Sequence, residues 1–350
     1  MNKNQIASLI KKLEEVKLNF HVTAMPDFFI DHFIIYPNSI NQLIEDLKAV
    51  AKRKGGNIFK GRQFLLRGGC AANFAAALGK LGVKTILIAE TNQLGFAILK
   101  FFSEGVDLSR VKVGDSQALT TALEVGIANE RVNIMFSHPG PGRNFGPDKL
   151  TNEDYEVILN SDFVAIFSWN MNNKGTQLID NVFSRVKESG KGKTYLDIGD
   201  PTSKKQELKI LINKILKKDL VDAFGINENE LKQIYEALNI KQSKQDLQTL
   251  LRKLSSEVNF RIDLHTTSFS ATATNGKITI APTFKVKVLR TTGAGDAWNA
   301  GNIYGWGTKL NDKERLIIAN ALAAYYISNK KPIHPNINQL KSFLNQNLNK

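Results

Sequence analysis

The chain has 350 residues, 42% of them hydrophobic, with one cysteine and 47 Lys+Arg against 33 Asp+Glu, a formal net charge of +14. That is enough apolar material for a sizeable core, in one large domain with a small accessory lobe. The lone Cys70 excludes an internal disulfide and a multi-cysteine metal site, and no apolar run approaches the roughly 18 residues that span a bilayer.

The first segment, MNKNQIASLIKKLEEV, lacks a signal-peptide core; Ile6, Leu9, Ile10, Leu13 and Val16 fall at helical spacing instead, and a cytoplasmic protein is expected. The basic residues are scattered (Lys11-Lys12, Lys52-Arg53-Lys54, Lys204-Lys205, Lys217-Lys218, Lys330-Lys331) and carry no interleaved aromatic platform. This pattern favours a solvated surface over nucleic-acid binding, and a positive field also suits a phosphate-bearing substrate.

Strands are expected at Phe20–Ala24, Phe28–Tyr36 and Asn57–Leu66, with a helix from Ile40 capped by Ser39 and ended by Gly55-Gly56. Its stripe is Ile40, Leu43, Ile44, Leu47 and Ala51. From Gly68 the rhythm changes. NFAAALGKLG is helical, Lys84–Glu90 a buried strand, and TTALEVGIA with VNIMFS a hairpin. Short apolar strands at Asp162–Ser168, Thr194–Gly199 and Asp222–Asn227 alternate with helical segments. The alternation predicts an α/β fold whose mostly parallel sheet is covered on both faces. FRIDLHTT, FSATAT, KITIAP and FKVKVL then predict four strands in quick succession before C-terminal helices. The segments near 28–66 and 119–136 interrupt the α/β pattern and read as a small lid.

Four constellations carry chemistry. In LRTTGAGDAWNAG, glycines open a helix, so outward N–H groups with the helix dipole behind them make an anion hole, formed by Gly293, Ala294 and Gly295. Asp296 in the first helical turn can take a proton from an attacking hydroxyl, which suits phosphoryl transfer. In RGGCAAN, Gly69 permits close backbone approach and Asn73 hydrogen-bonds both ways at a helix start. In FGINENEL, Asn227 and Glu230 stand three apart where strand gives way to helix, as a helix cap or as holders of hydrated Mg²⁺. In MPDFFIDHF, Asp27 and Asp31 are placed to grip sugar hydroxyls or to sit in an ordinary polar loop. There is no GxxxxGK[ST] and no GxGxxG, and the five histidines form no pair at metal-ligand spacing.

The order of these motifs, GG-x-x-x-N early, N-x-x-E in the middle and GAGD late, resembles the ribokinase-like (PfkB) carbohydrate kinases over roughly residues 20–335. The resemblance implies a three-layer α/β/α fold over 1–350 with a small β lid. It implies transfer of the terminal phosphoryl of ATP to a hydroxyl of a sugar or sugar derivative. Asp296 is then the base, and Gly293, Ala294 and Gly295 the anion hole. Asn227 and Glu230 organise Mg²⁺ and nucleotide, with Thr292 on the nucleotide side; Asp31, Gly69 and Asn73 lie on the sugar side. A homodimer through the lid is the implied assembly, a nucleoside is the alternative acceptor, and a nucleotide sensor without chemistry is the alternative function. Arg290 stands where the family often has Asp or Asn, and DLHTTSFSA replaces the usual glycine-rich run. The helix at 39–54 is long for this lid. Arg131, Asn133 and His138 fall in the lid region without an assigned role.

Overall fold

Strand residues that alternate between two apolar sets need a core on each side. The computed structural model describes residues 3–128, 130–238 and 246–347. In chain order it begins with α1 (Lys3–Glu15), β1 (His21–Met25), β2 (Phe29–Ser39), α2 (Ile40–Lys52), β3 (Arg62–Gly68), α3 (Cys70–Lys80) and β4 (Lys84–Leu87). Next come β5 (Glu90–Thr91), α4 (Gln93–Phe102), β6 (Val106–Asp107), β7 (Lys112–Val113), β8 (Leu119–Ile127), β9 (Glu130–His138), α5 (Asn152–Leu159) and β10 (Phe163–Ile166). Then follow α6 (Gly175–Ser189), β11 (Lys193–Asp197), α7 (Lys205–Lys214), β12 (Ala223–Asn227), α8 (Glu228–Ala237) and α9 (Leu247–Ser256). The chain closes with β13 (Arg261–His265), β14 (Phe269–Thr274), β15 (Lys277–Pro282), α10 (Ala294–Gly307), α11 (Asp312–Ser328) and α12 (Ile337–Gln346).

The main sheet runs β15-β14-β13-β12-β11-β10-β1-β4-β6, parallel except at the β13–β14–β15 edge. Along β10, Phe163 and Ala165 join the core under α1, α3, α10, α11 and α12, while Val164 and Ile166 join the core under α5 to α9. This is the three-layer α/β arrangement expected from the alternation. A second sheet, β3-β2-β8-β9, gathers residues from the two segments that break the α/β rhythm.

Several boundaries differ from the sequence reading. KVKVL is not a strand. After Pro282 the chain leaves regular secondary structure, and its alternation places Phe284 and Val286 against the helical layer, Phe284 edge-on to Phe343 of α12. Leu289 N–H bonds the Ile327 carbonyl of α11, so the period-two pattern reflects packing on helices. The strand expected from Asn57 starts only at Arg62, because the chain is still turning at Gly61, φ +107°, against the Ile35 carbonyl. The run Lys84–Glu90 splits: β4 ends at Leu87, and Glu90 opens β5, which pairs with β7 outside the main sheet. Ser39 does cap α2, accepting from Gln42 N–H at 3.3 Å, but no residue of that helix is buried; Ile44 and Leu47 stay exposed.

Candidate active site

The glycine turn sits where the segment after β15 meets α10. Gly293 has φ +81°, and a Cβ there would meet the Tyr326 ring at 3.1 Å, so the turn requires glycine. Ala294 N–H turns back to the Thr291 carbonyl at 3.1 Å, and Ala297 N–H takes the Gly293 carbonyl at 3.1 Å. The amides of Gly293, Gly295 and Asp296 have no backbone partner among the described residues. They form a donor set at the positive end of a 14-residue helix. Ala294 differs from the expectation: its amide closes the turn and does not face outward. Thr292 Oγ1 accepts from Asn133 Nδ2 at 3.2 Å, which ties the turn to β9 of the small sheet.

Asp296 is 9% exposed, and its Oδ2 accepts from Asn73 Nδ2 at 2.9 Å. Burial pushes its carboxyl up to about 8, with Asp197 and Asp27 adding repulsion against the Asn73 hydrogen bond. Gly69, φ +88°, caps α3 where a Cβ would lie 2.8 Å from Phe28 Cα, and its carbonyl accepts the Asn73 N–H at 2.9 Å. Asp31 on β2 is buried beside Gly68, whose missing Cβ makes room for the carboxyl. Desolvation raises Asp31 to about 7, opposed by Arg67 and a Thr120 hydrogen bond. Asp27 has a different task from Asp31. Its oxygens accept from Cys70 N–H at 2.8 Å, Ala71 N–H at 2.9 Å and Ser168 Oγ at 2.9 Å, so it anchors the α3 N-terminus.

Asn227 and Glu230 form the cap that their spacing allows. Asn227 Oδ1 accepts from Glu230 N–H at 3.0 Å, and Glu230 accepts from Asn227 N–H at 2.9 Å and Nδ2 at 2.7 Å. Burial, then the neighbouring Asp197, raises Glu230 to about 8; burial also raises Asp197. Neither carboxyl forms an ion pair among the described residues, so the pair is short of positive charge. Among those residues no three His, Cys, Asp or Glu side chains converge as direct metal ligands. Asn227 and Glu230 present oxygen donors of the kind a hydrated divalent cation takes.

Beyond Gly295 opens a cavity of about 940 Å³ whose lining includes Asn227, His265, Thr267, Val288, Gly295 and Trp298. This is the size of a nucleotide-scale pocket. His265 stacks on Trp298 with ring centroids 5.2 Å apart, and its buried Nδ1 has no hydrogen-bond partner among the described residues. Burial lowers His265 to about 4, so the ring is neutral. Arg290 does not line that cavity: its Nη1 donates to the Tyr326 and Asn329 carbonyls at 2.8 and 2.6 Å and its Nη2 to that of Lys330 at 2.9 Å, which closes the end of α11. Arg131 similarly donates to the Tyr36 and Glu124 carbonyls, and His138 Nδ1 accepts from Gly140 N–H.

Sequence reasoning passed over Arg67, Asp197 and Trp298. Asp197 was legible as an acid at the C-terminal end of an apolar parallel strand, where open α/β sheets bind ligands. Arg67 is a cation next to the Gly68-Gly69 pair in a strand, and Trp298 an aromatic in the first turns after GAGD. Nothing local marked the bond from Asn133 to Thr292, which joins residues 159 apart.

A profile of the pfkB family carbohydrate kinases matches residues 39–339. The chain is 24% identical over 299 residues to a 5-dehydro-2-deoxygluconokinase of Clostridium botulinum, covering 80% of this chain and 84% of that one. Its fold matches Arabidopsis thaliana ribokinase complexed with ribose and ATP (TM-score 0.71, 18% identity, 93% of this chain and 97% of that one). It also matches a Thermotoga maritima 2-dehydro-3-deoxygluconokinase (TM-score 0.73, 14% identity, 93% and 100%). With a nucleotide-sized cavity and a polar cluster meeting at one glycine turn, the chain belongs to the pfkB family of carbohydrate kinases.

Proposed function

We propose that this sugar kinase transfers the terminal phosphoryl of ATP to a hydroxyl of a sugar or sugar acid, with Asp296 as general base. One observation carries the reading: Asp296 hydrogen-bonds Asn73 at the start of α3 while its chain neighbour Gly295 lines the cavity, so the carboxyl stands where the two meet. In its ionised form Asp296 takes the hydroxyl proton as the oxygen attacks the phosphorus and the bond to the ADP oxygen breaks. The amides of Gly293 and Gly295 hold the charge spread over the moving phosphoryl, and Ala294 keeps the turn in shape. Asp31 and Asn73 orient the acceptor. Thr291, His265 and Trp298 line the donor side, while Thr292, expected there from the sequence, is tied to Asn133 of the small sheet. Asn227 and Glu230 would hold a hydrated Mg²⁺, which would supply neutralising charge to the donor phosphates; the uncompensated Asp197–Glu230 pair supports this fit.

The small sheet is read as a lid over the acceptor, latched to the turn by Asn133. Its exposed Leu65, Leu119 and Phe136, on one face of that sheet, support a homodimer contact there. The relatives named for keto-deoxy sugar acids make such acids the first acceptors to try. The experiment is a phosphorylation screen of sugar acids, hexoses, pentoses and nucleosides with several nucleotide donors. ADP release tied to one sugar or sugar acid supports the reading. Nucleotide binding without transfer to any acceptor contradicts it.

A further inference from the structure

Arg67 is buried, 8% exposed, and its guanidinium is engaged on three sides. Nε donates to Asn73 Oδ1 at 3.1 Å, Nη2 meets His334 Nε2 at 3.2 Å, and Nη1 donates to the Phe102 carbonyl at the end of α4. A guanidinium can only donate, so Asn73 must turn its oxygen toward Arg67. Its amide nitrogen then has to face Asp296. The flipped amide would set N–H against N–H on one side and a carbonyl oxygen against a carboxylate on the other. His334, the acceptor at the far end, stacks on Tyr326 at 4.5 Å between ring centroids, and Tyr326 is the ring packed against Gly293. The chain His334–Arg67–Asn73–Asp296 thus joins the loop before α12 to the first turn of α10.

We propose that Arg67 is a positioning residue for the transfer: by fixing the Asn73 amide it holds one Asp296 oxygen as an acceptor and leaves the other to take the substrate proton. This rests on the reading of Asp296 as the base. The charge of Arg67 acts in the same sense. The other ionisable groups facing Asp296 are Asp27 after β1, Asp197 at the end of β11, the Cys70 thiol at the start of α3 and the Tyr326 phenol on α11. None of them supplies a positive charge. Arg67 is the cation whose field reaches both Asp296 and Asp31.

The test uses the full chain as Arg67→Gln and Arg67→Lys. The Asp296 carboxyl is followed by ¹³C NMR titration of aspartate-labelled protein, assigned through Asp296→Asn; this readout needs no turnover. In Arg67→Gln the carboxyl should titrate higher than in wild type, and the acid limb of the kcat profile should move with it. Arg67→Lys keeps the charge but not the fork. Its titration should stay near wild type while kcat falls roughly 10- to 100-fold and the KM for ATP holds. An unmoved titration in folded Arg67→Gln overturns the proposal. So does wild-type kcat in Arg67→Lys, whether or not the Gln variant folds. Failure to phosphorylate any acceptor would sink the kinase mechanism, while the titration would still decide whether the field of Arg67 acts on Asp296.

Discussion

Asp263 on β13 and Asp296 on α10 are both shut away from water, and their partners differ in kind. Asp263 meets Arg261 at 2.9 Å and Arg315 at 3.1 Å, and accepts from Thr272 and Asn302 as well. The two guanidiniums overcome burial and hold it well below the usual carboxylate range. Asp296 meets only neutral donors, the Asn73 amide and the Cys70 thiol, and faces other acids, and burial drives it the opposite way. A carboxylate that ties layers together is matched with charge where it sits. The one proposed to accept a proton is left short of it, and the fold tolerates the imbalance.

Breaking the matched side has the largest expected effect on stability. Asp263→Ala leaves two buried guanidiniums without their partner and should cost about 3–5 kcal/mol in a denaturant titration. The lowered carboxyl contributes stability above its unfolded value near 4 and loses it as pH falls toward the folded value, so the variant should lack the wild-type decline below about pH 4.

On the reacting side, Gly293→Ala strains a left-handed residue against Tyr326 and tilts the amide cradle. The expected loss is about 100-fold in kcat with the fold intact by circular dichroism. Asp296→Asn sharpens the contrast in stability. The folded carboxyl keeps its proton up to about pH 8, whereas the unfolded one releases it near 4, so wild type loses stability as pH rises through that window. The variant has no such loss and should melt roughly 2–4 °C above wild type at pH 8, with a smaller gap at pH 5. Equal gaps at the two pH values would contradict the raised carboxyl. The smallest effect is expected from Arg290→Ala, which frees the α11 carbonyls. It should cost about 1 kcal/mol and leave the KM for ATP unchanged, since the side chain caps a helix and does not line the cavity.

What could be read from the sequence follows the range of the forces involved. The helices and parallel strands repeat their apolar pattern locally, so the α/β layers were legible. KVKVL was misread because an irregular chain packed on helices shows the same alternation as a strand. Gly293, Asp296, Asn73 and Glu230 stand in short motifs, each with a local backbone reason. Asp27 and Asp31 look alike in MPDFFIDHF, and only the fold separates the helix anchor from the acid beside Gly68. Arg67, Asp197 and the Asn133–Thr292 bond act across long chain separations, where one sequence offers no signal of who meets whom.

The most direct measurement is the kcat of Asp296→Asn on the identified acceptor, taken with nucleotide affinity by calorimetry. The account predicts a loss of about 1000-fold in turnover with binding held within a few-fold. Turnover close to wild type would mean that the proton leaves the acceptor by another route and that the glycine turn is not the reaction centre.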